Sequence, residues 1–118
     1  VTHQALVSKN RIEQIREINT PIGAAVVGMM EFFNRFDSEK YGSDGAPLHD
    51  PCTIAYLLKP ELFEGKMCNV EIETGSPLTR GHTAVDFRGI TDRVRNANWL
   101  YKMDADGFFE LLIERLKS

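Results

Sequence analysis

The stretch of this 118-residue sequence best suited to chemistry is Ala46-Pro-Leu-His-Asp-Pro-Cys52. His49 and Asp50 are adjacent there, at a junction between a loop and a helix that has Pro51 in its first turn. Histidine is the side chain best placed to exchange protons near neutrality, so His49 is a candidate proton donor. The Asp50 carboxylate suits a helix start or, turned outward, a hard cation such as Ca²⁺. From these residues alone, Asp50 as a helix cap and His49 as a surface or satisfied core residue remain the alternative.

Four helices are predicted around this block from apolar spacing and capping residues. The second of them is apolar nearly all round, so we expect it to be buried on several faces. A Gly-, Ser- and Asp-rich loop is predicted over residues 37–47, and it is long enough to be a binding loop. The predicted helices are residues 9–18 capped by Ser8, residues 21–36 capped by Asn19 or Thr20, a helix from Pro51 to Pro60, and a last helix capped by Asp104 or Asp106.

Three short strands are predicted between the third and fourth helices. Residues 68–73, 84–87 and 98–103 alternate apolar and polar side chains, and in the first of them Cys68, Val70 and Ile72 should form a buried face. The chain is therefore of the α/β class. Three strands and one nearly all-apolar helix need more covering surface than the rest of the chain provides, so we expect most of a sheet to lie in sequence outside these residues.

Composition excludes several classes of protein. The apolar fraction is 42%, the charged fraction is 26% and the net charge is −3, without any basic block, which argues against a nucleic-acid partner. No apolar run approaches the roughly 20 residues that span a bilayer. Cys52 and Cys68 form no CxxC pair and are expected to be reduced core thiols. The chain opens on Val1, which we interpret as a processed product or one piece of a longer polypeptide.

The run GAPLHDPCTIAYLLKPELF, residues 45–63, resembles the His-Asp-Pro segment of the inosine-uridine nucleoside hydrolase family. Residues 79–83 with Asp86, residues 96–98, the opening VTHQALVS and the closing DADGFFELLIERL fit the same family in the same order. The resemblance covers essentially the whole chain. It implies that residues 1–118 are the C-terminal portion of a single domain with an open, mainly parallel, Rossmann-like sheet.

The resemblance also implies a chemistry, the hydrolysis of a ribonucleoside at its N-glycosidic bond. His49 would protonate the leaving base, Asp50 would be one Ca²⁺ ligand, and the two are expected to share a pocket. Tyr41 is the candidate aromatic contact to the base, with Asp37 and Phe33 one and two helical turns upstream as weaker candidates. The alternatives are that Tyr41 anchors the loop and that Asp37 is a solvated helix end.

The sequence departs from the family most where the metal should bind. The family's Asp-rich N-terminal motif, which would supply most of the Ca²⁺ carboxylates, is absent, so the isolated chain is predicted to be inactive. Val94-Arg95 stands where the family usually carries Pro-Ala, and His82 is assigned to packing or surface.

Three hypotheses remain open for the role of the chain. It is a hydrolase fragment whose active site is completed by a missing N-terminal metal-binding half, a non-enzymatic ligand-binding or interaction domain of the same ancestry, or a generic small α/β domain. The resemblance implies a cytoplasmic homo-oligomer, a dimer or tetramer. Purine or pyrimidine preference is not fixed by these residues.

Overall fold

Over the residues that the structure describes, the chain folds into four helices and three strands. A computed structural model describes residues 1–41 and 45–117, with the side chains of residues 36–41 excepted. The elements, in chain order, are α1 (Lys9–Arg16), α2 (Pro21–Tyr41), α3 (Asp50–Leu58), β1 (Phe63–Ile72), β2 (Thr83–Asp86), β3 (Ala97–Met103) and α4 (Ala105–Lys117), with single 3₁₀ turns at Thr2–Gln4 and Pro60–Leu62. The predicted α/β class, with four helices and three short strands, is confirmed.

Three helices begin at capping side chains that accept a backbone N–H. The Ser8 hydroxyl accepts from the Arg11 amide at 3.4 Å, as predicted. Thr20, rather than Asn19, caps α2 through the Gly23 amide at 3.1 Å, because Asn19 has a left-handed backbone (φ 54°). The third is α4: the Asp104 carboxylate accepts from the Gly107 amide at 3.1 Å, whereas Asp106 forms an ion pair with Arg11 at 2.8 Å.

Two predicted boundaries are wrong by five residues. Helix α2 continues to Tyr41, five residues into the predicted loop, because residues 37–41 (DSEKY) contain neither Gly nor Pro. Asp37 and Tyr41 are therefore helix residues. Strand β1 begins at Phe63 instead of Cys68, directly after the 3₁₀ turn that Pro60 starts.

The sheet has the strand order β2-β1-β3. Strands β1 and β2 are antiparallel, with Val70 opposite Val85. The predicted buried face of β1 is wrong beyond Cys68, since Ile72 is exposed and Asn69 is buried. The Asn69 side chain satisfies its amide group by donating to the Val94 carbonyl at 2.9 Å, which makes its burial possible.

The chain divides into two compact units. The first contains residues 1–63 and 102–118, and the second contains residues 64–101. In the first unit α1 packs against α2 and α4, and α3 packs against α4. Its most deeply buried large side chains are Val7, Ile15 and Phe108. None of the helices in the described part of the chain is long and apolar enough to span a bilayer.

Helix α2 is buried on one side only, so the expectation that several of its faces are covered is wrong for these residues. Gly23, Val27 and Met30 face the core, at helical spacing. The opposite side is exposed and carries large apolar residues, namely Ile22, Met29, Phe32 and Phe33. Within the residues that the structure describes, the packing of α1 and α4 accounts for one face of this helix and leaves the other open.

Candidate functional site

The His-Asp-Pro block lies at the beginning of α3, with both polar side chains exposed. His49 is the N-cap residue but makes no side-chain capping bond, and Asp50 is the first residue of the helix. Asp50 is therefore not the helix cap that the alternative interpretation required. Its carboxylate lies in the first helical turn, where the backbone N–H groups favour a negative charge.

The backbone before His49 is paired with the beginning of the chain. Leu6 and Pro47 form an antiparallel bridge, although 41 positions separate them in the sequence. Because both flanks of this bridge are hydrogen-bonded, the loop reaches His49 along a fixed path. The bonds run from the Val7 amide to the Ala46 carbonyl (2.9 Å) and from the Leu48 amide to the Ala5 carbonyl (3.0 Å).

Asn34, a residue of helix α2, forms hydrogen bonds with both segments of the same bridge. The Asn34 amide nitrogen donates to the Val7 carbonyl at 3.0 Å, and its oxygen accepts from the Ala46 amide at 2.7 Å. Gly45 allows the close approach, because it adopts φ +150° and a Cβ there would collide with the Val7 carbonyl. The end of α2 and the beginning of the chain thus fix the loop that carries His49.

The His49 ring is itself held by two residues of the first turn. The Thr2 hydroxyl lies 2.8 Å from His49 Nδ1, and the His3 ring packs edge-on, with centroids 5.4 Å apart and planes at 69°. Thr2 and His3 both belong to the 3₁₀ turn Thr2–Gln4, so one short element contacts the candidate acid twice. Just behind the block, the Cys52 thiol donates to the Leu48 carbonyl at 3.0 Å, and burial raises the pKa of this thiol.

An apolar groove of about 510 Å³ lies beside Asp50, between α3 and α4. Asp50 is its acidic residue and Arg115 its basic one, and its walls are Ile54, Leu58 and Leu111. His49 does not line this groove. Its ring contacts Thr2 and His3. Among the described residues, the side chains of His49 and Asp50 therefore have different surroundings.

The described residues also do not supply the ligands that the predicted Ca²⁺ site needs. Among the described residues, no group of three His, Cys, Asp or Glu side chains is arranged to hold a metal ion. Asp50 is a single exposed carboxylate, and Ca²⁺ takes six to eight oxygen ligands. These residues thus do not fit a complete calcium site by themselves.

The predicted base contacts are only partly described. Phe33 is 64% exposed on α2 and packs edge-on against Phe32, with ring centroids 6.2 Å apart. Asp37 and Tyr41 belong to the same helix, but their side chains lie outside the described residues. Positions 33, 37 and 41 are four residues apart, a spacing that follows one side of a helix.

In the second unit, the polar residues build loops. The Asp86 carboxylate accepts four hydrogen bonds, from the amides of Gly89 (2.8 Å), Ile90 (3.0 Å) and Thr91 (2.8 Å) and from the Thr91 hydroxyl (2.6 Å). The Thr91 hydroxyl bond, followed by the amide bonds, lowers the pKa of Asp86 to about 2. His82 is exposed in the turn before β2, as expected of a surface residue.

Sequence reasoning missed two residues of the site, Thr2 and Asn34. Both act on the His-Asp-Pro block from distant positions, so no local motif marks them. The one available signal is that the opening VTHQALVS fits the family, which assigns no contact to Thr2.

Comparison with known proteins gives a consistent result. The family model described as inosine-uridine preferring nucleoside hydrolase matches residues 1–110. Over 99% of its length the chain is 49% identical to the pyrimidine-specific ribonucleoside hydrolase RihA of Shewanella baltica, and over its whole length it is 45% identical to that of Photobacterium profundum. The chain spans only 37% and 38% of the length of these relatives.

Solved structures agree in fold. The purine-preferring ribonucleoside hydrolase from Gardnerella vaginalis superposes with a TM-score of 0.79 at 26% identity, over 98% of this chain and 37% of that one. The plant nucleoside hydrolase PpNRh1 gives a TM-score of 0.84 at 20% identity, over 100% of this chain and 39% of its own. The second likeness is evidence of the fold alone.

Proposed function

Because the chain belongs to the inosine-uridine preferring nucleoside hydrolase family, we propose that it is the C-terminal part of an enzyme that hydrolyses the N-glycosidic bond of ribonucleosides. The family match over residues 1–110, which includes the His-Asp-Pro block, is the observation that carries this proposal. Water adds its oxygen to C1′ of the ribose, the C1′–N bond breaks, and its electron pair leaves with the base. The products are ribose and the free base.

His49 is proposed as the acid that protonates the departing base. A base leaves with negative charge on nitrogen, so a proton delivered as the bond breaks lowers the barrier. Two observations support His49 in this role. It is exposed at the beginning of α3, and its loop is held by the bridge to residues 5–7, so that the ring starts from one fixed backbone position.

Asp50 is proposed as one oxygen ligand of a Ca²⁺ ion whose other ligands come from the part of the enzyme that this chain does not include. An exposed carboxylate in the first turn of α3 is the supporting observation. A bound ion would activate the attacking water and hold ribose hydroxyls. The residues of this chain contribute the acid and one ligand.

The base is proposed to contact the side of α2 that passes through positions 33, 37 and 41. The exposure of Phe33 supports an aromatic contact there, and Tyr41 and Asp37 continue the same side of the helix toward the loop before His49. We propose pyrimidine ribonucleosides as the preferred substrates, because relatives that are 45–49% identical are named pyrimidine-specific. A cytoplasmic dimer or tetramer remains a prediction from the resemblance.

The proposal is tested on the complete hydrolase, meaning the polypeptide in which this chain follows the segment that its relatives carry upstream. Intact mass or gene sequence identifies that polypeptide. Release of free base is then measured with uridine, cytidine, inosine and adenosine in the presence of Ca²⁺. Turnover of all or some of these, with uridine and cytidine preferred, is the expected result.

The isolated 118-residue chain is the matched control in the same assay. It should release no base, because one carboxylate does not make a calcium site. Binding of nucleosides by the complete polypeptide without any hydrolysis would favour a ligand-binding domain and contradict the enzyme proposal. Turnover by the isolated chain would show that its own residues complete the site.

A further inference from the structure

The side chain of His49, the candidate acid, contacts the 3₁₀ turn Thr2–Gln4. We infer that Thr2 is a positioning residue for His49. This inference rests on the proposed function of His49. Thr2 would not touch the substrate. It would hold the imidazole by Nδ1, so that Nε2 is the nitrogen that delivers the proton to the leaving base.

The contact between the two side chains is specific. Thr2 Oγ1 and His49 Nδ1 lie 2.8 Å apart and come from positions separated by 47 residues. A threonine hydroxyl both donates and accepts, so this bond persists whether or not Nδ1 carries a proton. Among the described residues, this is the one side-chain hydrogen bond of His49, and it leaves Nε2 for another partner.

The His3 ring adds a steric restraint. Its edge-on packing, 5.4 Å from the His49 centroid, occupies space into which the imidazole would otherwise rotate. The backbone that carries Thr2 and His3 continues into the segment bridged to Pro47, so both side chains reach His49 from a fixed backbone. Hydrogen bond, ring contact and bridge together determine one orientation of the acid.

The proposed proton transfer runs from Nε2 of His49 to the leaving base. As the C1′–N bond breaks, the base takes the electron pair and the Nε2 proton, which leaves a neutral imidazole with its remaining proton on Nδ1. The Thr2 oxygen accepts the hydrogen bond from that Nδ1 proton, so the contact between the two side chains persists through the transfer. Residues that orient a metal-binding histidine through its other nitrogen change activity about 10- to 100-fold when they are removed, and we expect an effect of similar size for a histidine that delivers a proton.

The contact is too exposed to serve mainly for stability. Water replaces a lost hydrogen bond at the surface at little cost, and the Thr2–His49 bond is exposed. Replacing the hydroxyl should therefore leave the fold intact and alter only the direction in which the imidazole points. A shape-conserving substitution, Thr2→Val, separates the two effects, and Thr2→Ser restores the hydroxyl.

The test compares two substrates in the complete hydrolase. Uridine needs a proton on its leaving base, whereas p-nitrophenyl β-D-ribofuranoside releases a phenolate that needs none. We expect Thr2→Val to lower kcat for uridine about 10- to 100-fold with KM nearly unchanged, and to leave turnover of the aryl riboside near that of the unmodified enzyme. Thr2→Ser should recover most of the uridine activity.

Other outcomes overturn the inference. Equal losses on both substrates in Thr2→Val would assign Thr2 a structural role, and an unchanged uridine kcat would remove any role. His49→Ala is run beside these variants to separate the two proposals. If it spares uridine turnover, the proposed role of His49 fails, and the role of Thr2 fails with it. If it abolishes uridine turnover while Thr2→Val does not reduce it, only the positioning role is wrong.

Discussion

The loop that carries His49 and the loop that follows β2 are both fixed by hydrogen bonds, but from different distances along the chain. Asp86 closes its loop with partners three to five residues away. The loop before His49 is held by Asn34, by the segment around Leu6 and, at the ring, by Thr2, which lies 47 residues away. One loop is encoded locally, and the other exists only when distant parts of the first unit have folded.

Because of this difference, we expect mutations in the two loops to have effects of different extent. A change in the Asp86 loop should remain local, because its four hydrogen bonds come from residues 89–91. A change at the bridge around Pro47 should move His49, because bridge and ring contact hold the same short segment. The free energy of unfolding and amide hydrogen exchange distinguish these two responses.

The largest effect on stability is expected for Gly45→Ala. The new Cβ would collide with the Val7 carbonyl, and φ +150° is unfavourable for any residue with a side chain, so the bridge must separate. We expect a loss of about 3 kcal/mol in the free energy of unfolding, measured by urea titration.

Gly81→Ala in the second unit is the matched control for backbone strain. Gly81 also has a positive φ, +87°, but a Cβ there would meet nothing within 4 Å. It should cost about 1 kcal/mol, from the backbone alone. Equal costs for the two alanines would mean that the close approach to Val7 contributes nothing.

A smaller effect is expected for Asn34→Ala. The substitution removes both bonds of the Asn34 side chain and leaves the Val7 carbonyl and the Ala46 amide without that partner. We expect a cost of about 2 kcal/mol and faster hydrogen exchange at Ala46. Asn10→Ala, on the exposed side of α1, is the control and should change stability by less than about 0.5 kcal/mol.

Two results of the hydrogen-exchange measurement would contradict the contrast between the two loops. If Asn34→Ala accelerates exchange at Thr91 in the second unit as much as at Ala46, the two loops open together rather than independently. If neither amide responds, the Asn34 side chain is not what holds the loop before His49.

The smallest and most local effect is the acid response of the Asp86 loop. The pKa of Asp86 lies at about 2 in the folded chain, below its ordinary value of 3.8, so its stabilisation is complete above that ordinary value. The stabilisation from the Asp86 carboxylate should weaken as the pH falls from about 4 to about 2, because a protonated carboxyl group accepts hydrogen bonds from residues 89–91 less strongly. The measurement is amide chemical shifts at Gly89 and Thr91 across this range.

Asp86→Asn should abolish that pH response, because the amide does not titrate there. Asp92→Asn, at an exposed position of the same unit, is the control and should leave it intact. A response that survives in Asp86→Asn would come from another carboxyl group.

The parts of the fold that follow from nearby residues could be predicted from the sequence. The Ser8 cap, the helix that starts at Pro21 and the class of the fold required no distant partner. The predicted end of α2 is five residues too early, because DSEKY is polar like a loop but contains neither Gly nor Pro to end the helix. The buried face of β1 was wrong because the burial of Asn69 depends on a carbonyl 25 residues away.

The same limit applies to the candidate site. His49 and Asp50 could be selected because their types and adjacency suit proton transfer and cation binding. Thr2 and Asn34 could not, because a threonine and an asparagine have many roles and only the folded chain brings them to the block. The resemblance to the family predicts a pocket shared by His49 and Asp50, whereas the groove between α3 and α4 is lined by Asp50 and not by His49.

The central claim is that His49 protonates the leaving base, and substitution of this residue tests it most directly. In the complete hydrolase, kcat for uridine and for p-nitrophenyl β-D-ribofuranoside is measured for the unmodified enzyme and for His49→Ala. Loss of a general acid predicts a 10²- to 10⁴-fold fall with uridine and little change with the aryl riboside. A uridine kcat within about threefold of the unmodified enzyme, or equal losses on both substrates, would contradict the assignment.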